Sequence, residues 1–374
     1  MKNSVLINAS NLHDGGGVQV ASSFISELVS IETNSFEFVI WASSEVFESL
    51  VGLDHLCFQV SIQVVNTYGL KAFVAPINGK LAEFDLVFTI FGPNYFRSSS
   101  YIDLVGFAQL WILDDSAYSA LSLLDRLRTR LKFFAQKLFF MKSDAFVVEL
   151  EHVRDGLYRK RIAPFDSVHV AYNCISSIYL KPATWLPLAI EIKGPKFKVG
   201  FLGRDYPHKN TAILPFVKRI LAEKYDLDVE FFVTLNDLEW SRKSQEFRSS
   251  ITNVGSLAVT QCPSFYRALD AVIFPSLLEC FSATPLEAMA MGKPLFASNR
   301  PFVTDICGGF SFKFDPLDPE DAAGVMADYI RNRYGKDSVR LAAAREHVIN
   351  FSSAKDRAER YLEIIKTELV KKQD

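Results

Sequence analysis

Two successive series of apolar strands alternating with helical patterns constrain the fold of this chain most strongly. In the first series, apolar runs such as Val5–Asn8, Phe36–Trp41 and Leu86–Ile90 are separated by helical segments such as Val18–Ser30. The other strands predicted in this series are Gln59–Val65, Leu104–Leu110, Ala145–Glu149 and Ser167–Ala171. Strands separated by helices imply parallel pairing with right-handed crossovers. The alternation predicts one Rossmann-like α/β domain over residues 1–180.

A second series of the same kind follows a segment that has no periodicity. Residues 181–196 contain several chain breakers, including Pro182, Pro187 and Gly194-Pro195, as is typical of a linker. The strands predicted after it are Phe197–Leu202, Val229–Thr234, Ala271–Phe274, Pro294–Ala297 and Phe310–Phe312. We therefore expect a second Rossmann-like domain over residues 197–353, facing the first across a cleft. The charged helical tail, residues 354–372, is expected to join the first domain.

Composition narrows the class of protein. The formal net charge of −2 argues against a dedicated nucleic-acid binder. No apolar stretch approaches the roughly 20 residues that span a bilayer, and the apolar run near Met1 is too short for a signal-peptide core. The cysteines form no CxxC pair and are expected to be reduced thiols; they are Cys57, Cys174, Cys262, Cys280 and Cys307. We expect a cytoplasmic protein, either soluble or peripheral at the inner face of the cytoplasmic membrane.

The segment from Phe274 to Pro294 carries the strongest chemical signal. A predicted strand ends at Phe274, and a loop of small residues leads into a helix that opens near Pro285 and ends at Gly292. Loop amides and helix N-terminal amides together form a site for a diphosphate. Glu279 and Glu287 can accept hydrogen bonds from two sets of sugar hydroxyls, although an arbitrary pair of glutamates is more often solvated.

This segment resembles the E-x7-E motif of the retaining GT-B glycosyltransferases of family 4, also called glycosyl transferases group 1. The resemblance implies that Glu279 contacts the transferred sugar and that Glu287 binds the ribose of a nucleoside diphosphate sugar. It places the rest of the donor site on Phe281, Ser282, Ala283 and Thr284. Cys280 stands where the family often has glycine, which leaves the identity of the donor sugar open.

A second motif follows the first strand of the second series. The sequence places Gly203 at the strand end, with Arg204 and Lys209 just beyond it. Two cations beside one pyrophosphate neutralise the charge that grows on the leaving group. Arg and Lys in such a loop are often solvent-facing, but the segment is similar to the Gly-Arg…Lys diphosphate site of the family, so Arg204 and Lys209 are assigned catalytic roles beside Glu279.

A glycine-rich segment follows the first strand of the chain. Gly15, Gly16 and Gly17 permit unusual backbone angles and close approach of a ligand, although a glycine run alone usually marks a turn. It looks like the family's glycine-rich loop, which implies contact with donor phosphate and acceptor. His13 is either a loop histidine or an acceptor contact.

The first domain offers no clear catalytic base. Gln109 stands about where many family members carry a histidine, so a role in orienting sugar or acceptor is expected instead. Asp114 and Asp115 are predicted to cap a helix rather than act as a base. Asn173 resembles the family's asparagine on the hinge side of the cleft, and the alternative is a turn-forming residue.

Metal dependence is not indicated by the sequence. One Asp-x-Asp is present, Asp226-Leu227-Asp228, but it precedes a predicted strand and has no further acidic partner. We expect no cofactor and no metal, with a UDP- or GDP-sugar as co-substrate.

The helix predicted over Ser122–Met141 suggests a membrane contact. Residues 123–142 contain six cations and one anion. The helical spacing predicts one core-facing stripe, formed by Leu124, Leu127, Leu131, Phe134, Leu138 and Met141. Phe133 and Phe140 then fall on the opposite side, bordered by Arg126 and Lys137, and are expected to rest on anionic lipid headgroups. The alternative is that these two phenylalanines pack under a neighbouring loop.

Together these features predict a retaining glycosyltransferase of EC class 2.4. It would move a sugar from a nucleoside diphosphate sugar to a hydroxyl of a glycan or lipid-linked glycan in bacterial surface polysaccharide synthesis. Two alternatives remain open: a GT-B epimerase or hydrolase acting on sugar nucleotides, and a non-catalytic protein that binds them.

Overall fold

The computed structural model describes residues 2–31, 36–50, 60–74, 76–96, 100–115, 118 and 121–372. Cys57 and the predicted strand start at Gln59 lie outside these residues. The chain divides into two compact units. The first unit comprises Met1–Asp114, Leu123–Asn173 and Ser352–Asp374, and the second comprises Asp115–Ser122 and Cys174–Phe351.

The described residues of the first unit contain a seven-stranded parallel sheet. Its strands are β1 (Asn3–Ala9), β2 (Phe36–Ala42), β3 (Ser61–Val64), β4 (Leu86–Thr89), β5 (Ile102–Gly106), β6 (Ala145–Val148) and β7 (Val168–Val170). Their order is β3-β2-β1-β4-β5-β6-β7, and in the central pairs Val5 lies opposite both Phe38 and Leu86. Central strands are buried on both faces because helices cover a parallel sheet from two sides.

Helices of the first unit complete its core. They are α1 (Gly15–Ser30), α2 (Ser44–Glu48), α3 (Leu123–Phe140), α4 (Glu151–Arg159) and α13 (Ala354–Lys371). The C-terminal helix α13 packs beside α1 and the sheet, where the Tyr361 ring meets Phe24 and Phe88 edge-on at centroid distances of 5.0 and 5.1 Å. Buried aromatic contacts of this kind tie the last helix to the first unit.

Two element boundaries in the first unit differ from the predicted ones. Helix α1 was expected from Val18 but begins at Gly15, so the glycine run forms its first turn rather than a free loop. Strand β5 was expected to reach Leu110 but ends at Gly106, where a Cβ atom would lie 1.7 Å from the carbonyl oxygen of Ile90. Gln109 therefore lies outside the sheet, just before a 3-10 turn at Leu110–Ile112.

The second unit contains a six-stranded parallel sheet. Its strands are β8 (Phe197–Phe201), β9 (Val229–Val233), β10 (Thr252–Asn253), β11 (Ala271–Phe274), β12 (Leu295–Ser298) and β13 (Phe312–Phe314), in the order β10-β9-β8-β11-β12-β13. Its helices are α5 (Leu214–Tyr225), α6 (Asp237–Ser241), α7 (Gln245–Ser250), α8 (Cys262–Ala268), α9 (Ala283–Ala290), α10 (Pro301–Cys307), α11 (Pro319–Asn332) and α12 (Ser338–Ile349). The predicted α/β class with two Rossmann-like domains is confirmed.

The segment predicted as a linker, residues 181–196, lies within the second unit. The Leu186 amide donates to the carbonyl of Thr260 at 2.9 Å, and the Gln261 side chain donates to the carbonyl of Pro187 at 3.0 Å. The Trp185 indole donates to the carbonyl of Ile178 at 2.7 Å. Its proline and glycine residues explain why the sequence shows no helical or strand periodicity here. These hydrogen bonds nevertheless attach residues 181–196 to the rest of the second unit.

Helix α3 lies with the opposite face inward from the one predicted. Phe133 and Phe140, assigned to lipid contact, are 8% and 0% exposed and belong to the core. The Phe140 ring meets Phe107 at 4.8 Å, and Phe133 stacks on Trp111 at 6.1 Å. The expected core stripe is exposed instead. Helical spacing identifies two apolar faces but not which of them meets the sheet, so the assignment of Phe133 and Phe140 to lipid contact is wrong.

Candidate functional site

The loop after β11 leads into the helix that carries the main predicted site. Phe274 ends β11, and α9 begins at Ala283 with Pro285 in its first turn. Ser282 occupies the N-cap position of α9 but its side chain makes no capping hydrogen bond. The Ser282 side chain therefore does not occupy the backbone N–H groups in the first turn of α9. Backbone N–H groups at a helix N-terminus stabilise an anion. Phe281 and Ser282 immediately precede this turn, and Ala283 and Thr284 open it.

Lys209 and Glu279, predicted from separate motifs, meet in an ion pair. Lys209 Nζ lies 2.5 Å from Glu279 Oε1, and the side chains are only 14% and 10% exposed. The two loops are joined by their backbones, because the Leu277 amide donates to the carbonyl of His208 at 2.7 Å. Burial also lowers the pKa of His208. The structure therefore brings these two predicted catalytic residues together.

Arg204 is held by a residue that the sequence did not single out. Its Nε donates to Glu239 Oε1 at 2.6 Å, and the Asp205 amide donates to the same oxygen at 3.2 Å. Burial of Glu239 opposes ionisation, but the hydrogen bond from Arg204 and two backbone amides outweigh it and lower the pKa of Glu239. Glu239 forms a capping box with Asn236, and that N-x-x-E pattern was the available sequence signal.

A second polar cluster fixes the loop between Arg204 and Lys209. Lys243 Nζ donates to Asp205 Oδ1 and to Thr211 Oγ1, both at 2.7 Å, and the Thr211 hydroxyl donates to Asp205 at 2.5 Å. Asn210 adopts a left-handed conformation with φ of 55° and donates to the carbonyl of Pro316. These bonds restrict the positions that Arg204 and Lys209 can take.

Gly203 connects the end of β8 to the same region. Its amide donates to Thr234 Oγ1 at 3.1 Å, and its φ of 153° lies where glycine is favoured. The Thr284 hydroxyl in the first turn of α9 donates to the carbonyl of Leu202 at 3.4 Å. Gly203 and the first turn of α9 are therefore neighbours.

Glu287 lies in a pocket of tyrosines. The Tyr266 hydroxyl donates to Glu287 Oε2 at 2.8 Å, and Tyr179 also bonds to this carboxylate. Burial raises the pKa of Glu287, while the two tyrosine hydrogen bonds and the charge of Lys209 lower it in part. No motif pointed to Tyr179 or Tyr266, since one lies in an aperiodic segment and the other on the buried side of α8.

In the first unit, His13 is fixed on both ring nitrogens. Nδ1 lies 2.9 Å from Glu45 Oε2 and Nε2 lies 2.9 Å from the carbonyl oxygen of Thr67. The ring stacks on Tyr68 with centroids 4.2 Å apart. Both partners offer hydrogen-bond acceptors, so these contacts hold the ring in one orientation. The hydrogen bond from His13 lowers the pKa of Glu45.

The glycine run and Asn173 are the other predicted site residues of the first unit that the structure describes in detail. Gly15, Gly16 and Gly17 form the first turn of α1, and a Cβ atom on either of the first two would meet open space. Asn173 is buried, donates to Glu149 Oε1 at 2.7 Å and accepts from Arg357. Both ends of its amide are thus engaged within the unit, and the contacts give Asn173 a bridging role between the sheet edge and α13.

The Asp-x-Asp sequence has structural explanations in the fold. Asp226 caps the C-terminus of α5 with φ of 50°, and Asp228 pairs with Lys196 at 2.8 Å. Within the described ranges, no group of three or more His, Cys, Asp or Glu side chains is arranged to hold a metal ion.

A family model of known proteins matches part of this chain. Residues 189–347 match the family model described as "Glycosyl transferases group 1". These residues make up most of the second unit, which is therefore similar to this family. The match includes both the Gly203–Lys209 segment and the loop from β11 to α9, so the Lys209–Glu279 pair lies inside the matched residues.

Curated relatives match parts of this chain. The lipopolysaccharide core biosynthesis mannosyltransferase LpsB of Rhizobium meliloti is 36% identical over 85 residues, which is 23% of this chain and 24% of LpsB. Matches to three curated relatives span between 21% and 53% of their lengths.

Two solved structures match nearly the whole chain. A glycosyltransferase from Rickettsia africae has a TM-score of 0.72 at 19% identity and covers 99% of both chains. Anabaena Alr3699/HepE, solved with UDP and glucose, has a TM-score of 0.65 at 14% identity and covers 98% of this chain and 100% of its own. At these identities the likeness shows the fold, and the predicted GT-B class is confirmed.

Proposed function

We propose that this protein transfers a sugar from a nucleoside diphosphate sugar to a hydroxyl acceptor, with retention at the anomeric carbon. The observation that carries the proposal is the Lys209–Glu279 ion pair beside the first turn of α9. A cation, a carboxylate and N-terminal helix amides at one place suit a ligand that has both a diphosphate and sugar hydroxyls.

The proposal gives each residue a role that is consistent with its contacts. Lys209 and Arg204 neutralise the diphosphate, and the amides of the α9 first turn add hydrogen bonds to its oxygens. Glu279 accepts hydrogen bonds from the transferred sugar. Glu287, whose carboxylate is oriented by Tyr266, accepts from the ribose hydroxyls. In a retaining transfer of this kind the leaving phosphate takes the proton of the acceptor hydroxyl, so no enzymic nucleophile is required.

The relatives and structural neighbours favour a particular donor and acceptor for the first tests. The structural neighbour HepE was solved with UDP and glucose, which favours a UDP-sugar over a GDP-sugar as the first donor to test. LpsB is named for lipopolysaccharide core synthesis, which favours a glycan or lipid-linked glycan acceptor of a bacterial surface polysaccharide. We place this activity at the cytoplasmic side of the membrane, where nucleotide sugars are made.

A two-stage experiment tests this function. A thermal-shift screen of UDP, GDP, ADP and their sugar conjugates identifies the nucleotide, and transfer of labelled sugar to a crude lipid or glycan extract then measures turnover. We expect stabilisation by one nucleotide and labelled product that is lost in Glu279→Ala. Consumption of the sugar nucleotide without acceptor indicates an epimerase or hydrolase instead. Donor binding with no transfer to any native acceptor indicates a non-catalytic binder.

A further inference from the structure

An exposed apolar stripe runs along α3. Its members recur at alternating intervals of three and four residues and are each at least 48% exposed: Leu124, Leu127, Leu131, Phe134, Leu138 and Met141. Leu123, at the start of the helix, extends the stripe and is 81% exposed. Single exposed leucines are ordinary on protein surfaces, but a continuous row of this length marks an interaction site.

The orientation of the stripe is fixed by the other side of the helix. Phe133 and Phe140 are buried against Trp111 and Phe107, so α3 cannot turn its leucines inward without removing two phenylalanines from the core. Burial of these two side chains stabilises the first unit. The stripe is therefore a stable feature of the surface.

Cations flank the stripe on both sides. Arg128 and Lys132 lie along one side and Arg130 and Lys137 along the other, and Lys142 follows the C-terminal end. Lys137 is half-buried and the other four are exposed. The helix contains a single acidic residue, Asp125. An apolar strip bordered by basic residues matches a surface with an apolar interior and anionic headgroups.

A second copy of the chain is a poorer match to the same stripe. The spacing of three and four residues is that of the a and d positions of a coiled coil. The positions beside such a contact are then occupied by Arg128, Arg130, Lys137 and Lys142, and the uncharged exceptions are Leu123 and Ala135. Whether two copies of α3 ran parallel or antiparallel, these positions would bring like charges together, which destabilises the pair.

We propose that α3 docks this protein on a membrane surface that contains anionic lipid, with the leucine stripe at the boundary between headgroups and acyl chains. The flanking Arg and Lys side chains contact the lipid phosphates. The helix lies in the plane of the membrane, and no helix in the described ranges is long and apolar enough to cross one. This inference rests on α3 alone and stands apart from the donor chemistry proposed for the second unit.

Vesicle sedimentation tests whether the apolar stripe of α3 contributes to membrane binding. The full chain is mixed with vesicles of phosphatidylcholine and phosphatidylglycerol, or of phosphatidylcholine alone. We expect binding to the anionic vesicles that weakens on addition of salt. The double variant Leu127→Ser, Leu131→Ser should bind at least about tenfold more weakly, because two leucine side chains no longer enter the membrane. Both sites are exposed, so its thermal unfolding should match that of the parent.

A matched control uses exposed apolar residues elsewhere. Leu238 and Val339 are 60% and 83% exposed in the second unit, and the variant Leu238→Ser, Val339→Ser should bind vesicles as the parent does. Arg128→Gln should weaken binding to anionic vesicles without changing the weak association with phosphatidylcholine.

Two results would overturn the proposal. One is unchanged sedimentation of the Leu127→Ser, Leu131→Ser variant with anionic vesicles. The other is a stable dimer of the parent, seen by light scattering, that the same variant converts to monomer. That outcome assigns the stripe to a second copy. Neither result bears on nucleotide binding or sugar transfer, which are measured with soluble donor.

Discussion

Lys209 Nζ lies 2.5 Å from Glu279 Oε1, with both side chains almost wholly withdrawn from solvent. The two residues are 70 positions apart in sequence, and each was assigned from its own motif. Their pairing means that neither charge can be removed without leaving the other in a poorly solvated place. The effects of substitution at Lys209 and Glu279 must therefore be separated into stability, donor binding and turnover.

Glu279→Gln should separate the sugar contact from the diphosphate contact. The amide keeps the size of the side chain but removes the charge that pairs with Lys209. Nucleotide affinity is expected to stay within about threefold of the parent or to rise, because the Lys209 charge becomes available to the diphosphate. Transfer should fall at least about a hundredfold, the scale of one lost transition-state contact in an enclosed site.

Isothermal titration with nucleotide and a labelled-product assay measure the two effects of Glu279→Gln. Lys209→Met is the matched comparison and should lose nucleotide affinity by about tenfold or more. Equal loss of nucleotide affinity in both variants would contradict the proposal that Glu279 binds the sugar while Lys209 binds the diphosphate.

Tyr266→Phe should destabilise the protein in a pH-dependent manner. The Tyr266 hydroxyl donates to the Glu287 carboxylate and is one of the contacts that lower its pKa against the effect of burial. Without that hydrogen bond the pKa of Glu287 rises further. A hydrogen bond to a charged acceptor contributes about 1.5–3 kcal/mol, so the variant should lose about that much stability at pH values where Glu287 is ionised.

The sign of this pH dependence follows from linkage. Because burial raises the pKa of Glu287, the folded protein holds a proton there at pH values where the unfolded chain has released it, and stability falls as pH rises through that window. The difference between Tyr266→Phe and the parent should be small below the window and reach its full size above it. Urea denaturation at a series of pH values measures this, with Glu287→Gln as a background that should abolish the trend. A difference that stays constant with pH assigns Tyr266 to packing alone.

Glu239→Gln should weaken nucleotide binding without unfolding the second unit. Glu239 Oε1 accepts from Arg204 Nε and from the Asp205 amide, so its charge orients the guanidinium. A glutamine oxygen preserves the acceptor but not the ionic attraction, and we expect nucleotide affinity to fall several-fold with little change in thermal unfolding. Arg204→Lys should show a similar loss, since lysine lacks the planar fork. Full affinity in Glu239→Gln would mean that the Asp205–Lys243 contact alone positions the loop.

Much of the fold could be predicted because its signals are local. Among the residues that the structure describes, short apolar runs bounded by breakers identified eleven strands over at least half of their length. A twelfth, Phe312–Phe314, was predicted two residues too early and overlaps only at Phe312, and the remaining strand, Thr252–Asn253, is two residues long and has no pattern to detect. The motifs likewise identified Lys209 and Glu279, because Gly-Arg…Lys and E-x7-E are contiguous in sequence. Tyr179 and Glu239 were not identified, since each acts through a partner that only the tertiary fold brings near.

The orientation of α3 shows where sequence pattern stops being sufficient. Six regularly spaced apolar residues outnumber Phe133 and Phe140, so counting favours the stripe as the core face. The sheet instead offers a recess lined by aromatic rings, and Phe107 and Phe146 both meet the Phe140 ring there. The buried face of α3 is the one that is complementary in shape to a surface formed by residues distant in sequence. Helical spacing carries no information about that surface.

Phe140 and Leu131 offer a direct test of that orientation through stability. Phe140→Ala should cost about 3–5 kcal/mol of unfolding free energy, the typical penalty for truncating a fully buried phenylalanine. Leu131→Ala, on the exposed stripe, should change it by no more than about 0.5 kcal/mol. Urea denaturation of the two variants measures the contrast, and Phe134→Ala repeats the exposed case with an aromatic residue of the same size. A large loss at Leu131 with little at Phe140 would mean that α3 packs through its leucines, and the membrane-facing role of the stripe would fail with it.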